Sequence, residues 1–565
     1  MKSVMKKIFF LIVIMTIAAC ARKGNPTGGP KDVDPPKFIS AFPDTLSTNV
    51  DVNTKEIIIN FDEYILLKEY SKNVVISPPF QKNAIVTPQA TAKRNISIKL
   101  QEPLQPNTTY NFNFGSSVRD NNEGNIYPNF SYVFSTGDYI DSLEVSGKVK
   151  DPYNVKQSSK ILIGLYKMDE AYKDSLILRQ KPYYITRAKE DGTYEMKYLA
   201  AGKYKVIAFA DEVENTMYDF GKEQIAFQNE PLVLDKNENI NLKLFLQKPN
   251  YRVAKSEQKG YGQILFKTEG LLDSLKIKSL SKNFTTSVVE QFPDKDSIVF
   301  WFNPKVDTLD NKSQRLKFAV EAKQKTDTVT VSYINPKDEF KFSLKTDISS
   351  NGLAPNQRLK LVGNSPIVSW NKEDIELFRD SVQIPFEVSK NPKNINELFI
   401  DFEKDYEQKF EINLYPNAVQ NIFGLTNDTI ANKFVTGKTM DYGNLKLTIA
   451  NPPTKPFILQ FIKKDKDQIL EEFYGQETVY EFKNLDPTEY YFRVLVDENE
   501  NKKWDSGNFL EGIQPEPVYL YPATITIRKM WDANETWILG QEPKPEETKN
   551  ATDKTIPNLR EERGK

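Results

Sequence analysis

Residues 103–114 read Pro103-Leu104-Gln105-Pro106-Asn107-Thr108-Thr109-Tyr110-Asn111-Phe112-Asn113-Phe114. Pro103, Pro106 and Asn107 are turn residues. From Thr109, polar and aromatic side chains alternate with the period of two that sets one face of a strand against a core. Upstream, Glu56-Ile57-Ile58-Ile59-Asn60-Phe61 is a short β-branched run, and Asn95-Ile96-Ser97-Ile98-Lys99-Leu100 alternates again. Downstream, Tyr132-Val133-Phe134-Ser135-Thr136-Gly137 closes the unit. Short strands separated by turns at these intervals predict a β-sandwich over residues 37–138. The same texture runs on to about residue 540, so the expected fold class is all-β, a tandem array of sandwiches.

Composition narrows what such an array does. A chain of 565 residues suggests about four domains at roughly 150 residues each. Lys plus Arg number 76 and Asp plus Glu 77, so no basic stripe argues for nucleic acid. The 27 Tyr and 35 Phe suit half-buried strands. There is no histidine, which removes the commonest general base and the usual imidazole ligands of catalytic zinc. No G-x-S-x-G or S-x-x-K context supplies an activated serine. Asp62 and Glu63 are adjacent on a predicted strand and point to opposite faces, so they do not converge as a glycosidase pair; a strand end is their expected place. The expectation is a protein without catalysis. Convincing helical segments are scarce.

Four features of residues 37–138 and their approach resemble bacterial Ig-like domains of the S-layer-associated type. They are D-x-x-P-P at Asp32 to Pro36, Phe61-Asp62-Glu63, L-x-P-N-T-x-Y at Leu104 to Tyr110, and the closing F-S-T-G. Residues 143–248 differ. Asp191-Gly192-Thr193-Tyr194 leads into Leu199-Ala200-Ala201-Gly202-Lys203-Tyr204-Lys205-Val206, a pattern similar to the transthyretin-like, carboxypeptidase-regulatory type of sandwich. This block has a twin at residues 443–540. An ungapped offset of 286 sets Tyr194 on Tyr480, Leu199 on Leu485, Tyr204 on Tyr490, Asp211 on Asp497, Asn215 on Asn501 and Asp219 on Asp505. Continued further, it sets Gln228, Glu230, Pro231 and Leu234 on Gln514, Glu516, Pro517 and Leu520. So many matches in one register indicate a duplicated domain. Residues 345–438 end Lys433-Phe434-Val435-Thr436-Gly437 and are expected to be a second Ig-like sandwich. Residues 250–344 form an intervening β segment without a family, and residues 541–565, poor in apolar side chains, are expected to be a disordered tail.

The amino terminus carries a different signal. Lys2, Lys6 and Lys7 precede the apolar run Ile8 to Ile17, then Ala18, Ala19 and the only cysteine, Cys20. An apolar core of about ten residues fits a signal peptide, whereas a spanning helix needs roughly 20. Residues 1–19 followed by Cys20 resemble the lipobox of bacterial lipoproteins. The resemblance implies lipidation of Cys20 and a membrane held through the lipid anchor. Ala21, where an Asp would signal inner-membrane retention, implies the outer membrane; which face the body occupies is left open. Residues 20–36, rich in Gly and Pro, read as a flexible tether. With Cys20 used by lipid, no intramolecular disulfide is available.

Two further patterns are candidate sites. Asp497, Asn499, Asn501 and Asp505 stand at the spacing of oxygen ligands in calcium loops. Lys502 and Asn508 occupy the places where an EF-hand needs Gly and Glu, so the loop is either a weak Ca²⁺ site or an acidic turn capped by its own side chains. No other cofactor is expected. Asp followed by Ser or Thr and an aliphatic residue recurs nine times, where composition predicts about one or two. The pattern resembles the O-glycosylation sequon of one large Gram-negative lineage. That resemblance implies glycans on Thr45, Ser142, Ser175, Ser274, Ser297, Thr308, Thr328, Ser381 and Thr429. As a turn element before a strand, Asp-Ser or Asp-Thr also has a purely local reading.

The reading that follows is an outer-membrane lipoprotein of tandem β-sandwiches with a structural or binding role, adhesion or presentation, whose partner is an envelope protein or a glycan. Five modules in a row would reach ~200 Å if fully extended. A periplasm-facing assembly or secretion accessory that binds a partner by strand addition is the alternative. A carboxylate-only carbohydrate-active enzyme is the third, and it meets the objection raised by Asp62 and Glu63.

Overall fold

A computed structural model describes residues 32–249, 251–270, 275–291, 297–307, 312–322, 325–338, 340–348 and 352–540. The expected signal peptide, Cys20, most of the tether and the tail lie outside the described residues. Apart from a helical turn at Tyr70–Asn73 and four short 3₁₀ turns, the elements among the described residues are strands. The chain is all-β.

Thr109–Gly115, the strand predicted from residues 103–114, lies centrally between Val75–Ser77 and Phe130–Ser135. It faces a sheet of Phe38–Phe42, Glu56–Leu67, Lys93–Lys99 and Ile85–Thr87. The alternation acts as its period requires. Tyr110, Phe112 and Phe114 are buried with Ile57, Ile59, Phe61, Ile96 and Ile98 in one core, while Asn111 and Asn113 face the other way. Glu56–Leu67 runs six residues past the predicted stretch. Asp62 and Glu63 therefore sit inside a strand, where pairing with Lys93–Lys99 is irregular between Asn60 and Ile65, and not at its end as expected. Asp62 Oδ1 accepts the Lys37 N–H at 2.7 Å, a chain-fixing contact.

Four more apolar cores follow, built around residues 145–244, 251–333, 353–434 and 445–537. The sandwiches around them are numbered here second to fifth in chain order. The second and fifth share one plan. In each, the opening strand (Leu143–Lys150; Gly443–Ala450) pairs antiparallel on one side and parallel on the other. In each, a tyrosine hydroxyl donates to the carbonyl four residues back, Tyr204 to Ala200 at 2.9 Å and Tyr490 to Asp486 at 3.0 Å. The first and fourth also share a device. Thr136 Oγ1 donates to Gln105 O at 2.7 Å and accepts from Thr108 N, and Thr436 Oγ1 repeats this with Asp405 O and Gln408 N.

The sandwiches do not form an extended row. Val75 of the first and Phe509 of the fifth are buried in one apolar cluster with Leu162, Ile207, Phe209 and Phe245 of the second. Trp301 of the third packs with Ile422 and Phe423 of the fourth. Asn356 and Tyr406 of the fourth bond to Lys483 O and Asn484 of the fifth, at 2.9 and 2.6 Å. The chain thus turns back until its fifth sandwich meets its second, which corrects the expectation of a row of ~200 Å.

Asp120 shows how a buried carboxylate is kept charged here. It is 4% exposed, and its oxygens accept the N–H groups of Asn122, Glu123, Gly124 and Asn125 at 2.6–3.1 Å. Burial works against the charge, but the four N–H groups outweigh it and hold the carboxyl below its usual range. A depressed acid stabilises the fold above its unfolded value, about 3.9, and that contribution is lost as pH falls through the folded value. Asp120→Asn is expected to cost about 1–3 kcal/mol at pH 7, with the deficit shrinking below about pH 4. Thermal melting of the intact chain at both pH values measures this; an equal deficit at both would contradict it.

Candidate functional site

The sequence candidates fall in three places. Cys20, Ser274 and Thr308 lie outside the described residues. Thr45, Ser142, Ser175, Thr328, Ser381 and Thr429 are exposed, and Ser297 is half-buried at the start of Ser297–Trp301. Ser142 and Thr429 directly precede strands, and Ser381 sits in the turn between Ile375–Arg379 and Val382–Gln383. These hydroxyls are scattered over separate sandwiches and form no common site.

Asp497, Asn499, Asn501 and Asp505 do come together, and their contacts are internal. Asp497 is fully buried. It accepts Asn501 N at 3.0 Å, Lys502 N at 2.8 Å and the Tyr474 hydroxyl at 3.0 Å. Asp505 Oδ2 accepts the side-chain amides of Asn499 and Asn501 at 2.6 and 2.7 Å. Glu516 accepts the N–H groups of Glu498, Asn499 and Asp505 at 2.8, 3.3 and 2.8 Å. The oxygens named face N–H and O–H donors, the arrangement of a self-capped turn. Among the described residues no three acidic, His or Cys side chains are grouped as metal ligands.

The first copy builds the same turn with other residues. Asp211 accepts from Asn215 N and Thr216 N, and Asn215 Nδ2 donates to Asp219 at 2.8 Å. The carboxylate equivalent to Glu516 is Glu223, which accepts Val213 N and Asp219 N. It is not Glu230, as the ungapped alignment had it. Strand register confirms the shift. Ile207 and Phe209 pair with Phe227 and Ile225, whereas Arg493 and Leu495 pair with Leu520 and Val518. Glu516 lies 293 residues after Glu223, but Asp497 only 286 after Asp211. The second copy therefore carries seven extra residues here, and Gln228, Glu230, Pro231 and Leu234 do not correspond to Gln514, Glu516, Pro517 and Leu520.

Those extra residues make the contact that turns the chain back. Asn508 and Ile513 pair as a β-bridge, and the hairpin between them carries Phe509, 2% exposed, into the second sandwich. Its ring stands edge-on to Phe227 at 5.1 Å between centroids. The Gln247 side chain receives Phe509 N at 3.0 Å and donates to Asn508 Oδ1 at 2.9 Å. Gln514 Nε2 donates to Phe227 O and Asn229 Oδ1 at 3.0 and 2.8 Å. Ser506 Oγ donates to Leu246 O at 2.7 Å. A Cβ on Gly507 would lie 2.7 Å from the Phe245 ring and from Ile513 O, so only glycine allows this approach. Reciprocally, Tyr153 of the second sandwich lies under the Arg493 guanidinium, 3.9 Å from its centroid, and beside Trp504. Sequence reading missed this clasp. Its signal was a gap that an ungapped alignment conceals.

Between the first and second sandwiches lies a polar cleft of about 740 Å³, lined by Lys72, Asn111, Asn113, Arg187, Lys189 and Tyr198 among others. Arg187 reaches Ser71 O of the first sandwich at 3.2 Å and lies 3.8 Å from buried Asp211. Burial moves both toward their neutral forms, Asp211 up and Arg187 down, and their mutual attraction opposes this. In the fifth sandwich Tyr474 stands in Arg187's place and donates its hydroxyl to the equivalent Asp497 at 3.0 Å.

Phe509→Ala removes the ring at the centre of the clasp and is expected to cost about 3 kcal/mol there. Hydrogen exchange of residues 224–227 and 245–247 should quicken and the scattering radius of the chain grow, with far-ultraviolet circular dichroism unchanged. An unaltered radius and exchange pattern would contradict the clasp.

Residues 32–136 match the family model described as "Bacterial Ig-like domain". No curated protein matches the chain. Among solved structures, the chain is similar to a titin fragment (10% identity, 50% of this chain and 100% of that one, TM-score 0.13). It is also similar to the major pilin subunit of Bacillus cereus (8%, 71% and 100%, TM-score 0.13). A third is the S-layer protein rSbsC (12%, 83% and 67%, TM-score 0.14). TM-scores of this size carry no information on arrangement or role. Its N-terminal sandwich is thus a match to the bacterial Ig-like domain, within an all-β chain.

Proposed function

We propose that this protein is a non-catalytic lipoprotein of the outer membrane, anchored through Cys20, whose sandwiches form a braced body that binds or presents to a partner. The interlocking of the sandwiches carries the reading. Phe509, Gln247, Tyr153 and Arg493 are spent on holding two sandwiches together, and the turn carboxylates Asp497 and Glu516 accept bonds within their own fold. Asp211 and Glu223 cap the equivalent turn of the second sandwich, and the chain has no histidine to act as a general base. The Ig-like match of residues 32–136 supports a binding or structural module. The second and fifth sandwiches are taken as transthyretin-like, on the motif at Asp191 to Val206 and its repeat. The exposure of Thr45, Ser142, Ser175, Thr328, Ser381 and Thr429 suits O-glycosylation, which would leave sugars in solvent. The partner is an envelope protein or a glycan.

Cys20→Ser is expected to move the protein from the detergent-soluble membrane fraction to the aqueous one; retention in the membrane would overturn the anchor. Protease shaving of intact cells, with mass spectrometry of released and retained peptides, then tests presentation. Release of the sandwich peptides is expected, with hexose mass on peptides containing Ser142 or Thr308. Full protection behind a verified intact outer membrane would place the body in the periplasm and overturn presentation at the cell surface.

A further inference from the structure

Because the second and fifth sandwiches share one plan, each edge of one has a counterpart in the other. Tyr184–Arg187 pairs with Ile161–Lys167, Leu162 opposite Arg187 and Leu165 opposite Tyr184. Gln468–Gly475 pairs with Phe457–Lys463, Ile458 opposite Tyr474 and Phe461 opposite Glu471. Ile161–Lys167 and Phe457–Lys463 are themselves equivalent, through Lys167 opposite Tyr204 and Lys463 opposite Tyr490. The two outer strands are therefore the same edge.

Their surroundings differ. In the second sandwich another sandwich covers the edge: Ser77 Oγ of the first accepts the Ile185 N–H at 3.2 Å, Val75 packs against Ile185, and Arg187 donates to Ser71 O. In the fifth, the edge strand is eight residues long instead of four, and among the described residues it pairs only with Phe457–Lys463. Its first five residues are exposed. Ile469, Leu470 and Tyr474 are 37%, 39% and 44% exposed, beside the carboxylates of Glu471 and Glu472.

A long open edge is a template for a further strand. The charges select its occupant. Antiparallel self-pairing of two copies about Glu471 and Glu472 would set carboxylates opposite carboxylates, which is repulsive. A strand with basic side chains opposite those two, and apolar ones opposite Ile469 and Leu470, meets no such penalty. We propose that Gln468–Gly475 is a docking edge for a basic extended strand at the edge of a partner β-sandwich, the counterpart of the edge the first sandwich covers. This rests on the reading of the protein as a non-catalytic binding body and names the surface it uses.

The test uses the full chain with two eight-residue synthetic peptides, one repeating Lys-Lys-Val-Val, which sets lysines opposite both glutamates, and one repeating Glu-Glu-Val-Val. The lysine peptide is expected to slow hydrogen exchange within residues 468–475, and the glutamate peptide to leave it unchanged. The double variant Glu471→Lys, Glu472→Lys should weaken lysine-peptide binding by about tenfold or more, the scale of reversed charge pairs. Ile469→Pro, which blocks the strand without altering charge, should weaken it too. Equal affinity for the charge-reversed variant, or protection elsewhere on the chain, would overturn the proposal. So would self-association of the native chain through this edge, abolished by Ile469→Pro, because the occupant would then be a second copy. None of these results bears on the anchor or the lack of catalysis, which stand or fall on membrane partition and shaving.

Discussion

The outer sheet face of the second sandwich is the constraint on which the arrangement depends. Leu162, Ile185, Ile207, Phe209, Ile225, Phe227 and Phe245 are all buried there, on the side away from the sandwich's own core. Left in water, seven such side chains would form a large apolar patch. The chain covers it from three directions: Val75 of the first sandwich, Tyr172, Ile177 and Tyr218 of its own connections, and Phe509 of the fifth. Burying one phenylalanine side chain is worth about 1.5–3 kcal/mol, and here it also closes a loop of some 260 residues between Gln247 and Asn508. That closure costs entropy which grows only slowly with loop length. The third and fourth sandwiches, bound to each other and to the fifth, shorten the effective loop further.

Duplication supplied the parts and divergence gave them different tasks. Both copies retain the buried aspartate that caps its turn, Asp211 and Asp497, and the asparagine four residues on. What faces that aspartate has changed, from the Arg187 guanidinium to the Tyr474 hydroxyl. The change follows the neighbours, since Arg187 also reaches the first sandwich whereas the strand of Tyr474 is open. The outer faces diverged in the same sense. The second copy's face is apolar and takes Phe509, whereas the fifth's carries Gln460 and Arg493, which bond to each other and receive Tyr153. Each copy contributes what the other's face accepts.

Much of this was legible in the sequence, and what was not has definite causes. Alternation at Thr109 to Phe114 located a strand to within a residue, because one of its faces is core and the other is not. The offset of 286 found the repeated turn, since Asp, Asn and Asp at fixed spacing are needed to cap it. The clasp escaped because Phe509 is a lone aromatic in a polar loop, and its meaning depends on residues about 260 positions away. Yet Val206-Ile207-Ala208-Phe209-Ala210 was apolar on both faces, where the fifth copy's Arg493 interrupts the run, and loss of alternation is what a strand buried on two sides requires. The place of Asp62 and Glu63 inside a strand also escaped, because irregular pairing beside Asn60 lets polar residues occupy a continuing strand.

The most direct test of the folded-back chain is a distance between spin labels on the second and fifth sandwiches, measured by pulsed electron resonance. Val155 and Lys502 are exposed positions beside Tyr153 and Trp504, whose rings lie 5.3 Å apart. A single narrow distribution, shorter than the roughly 35 Å width of one sandwich, is the expected result. A broad distribution at several times that distance would mean that the sandwiches are strung out, and would contradict the account.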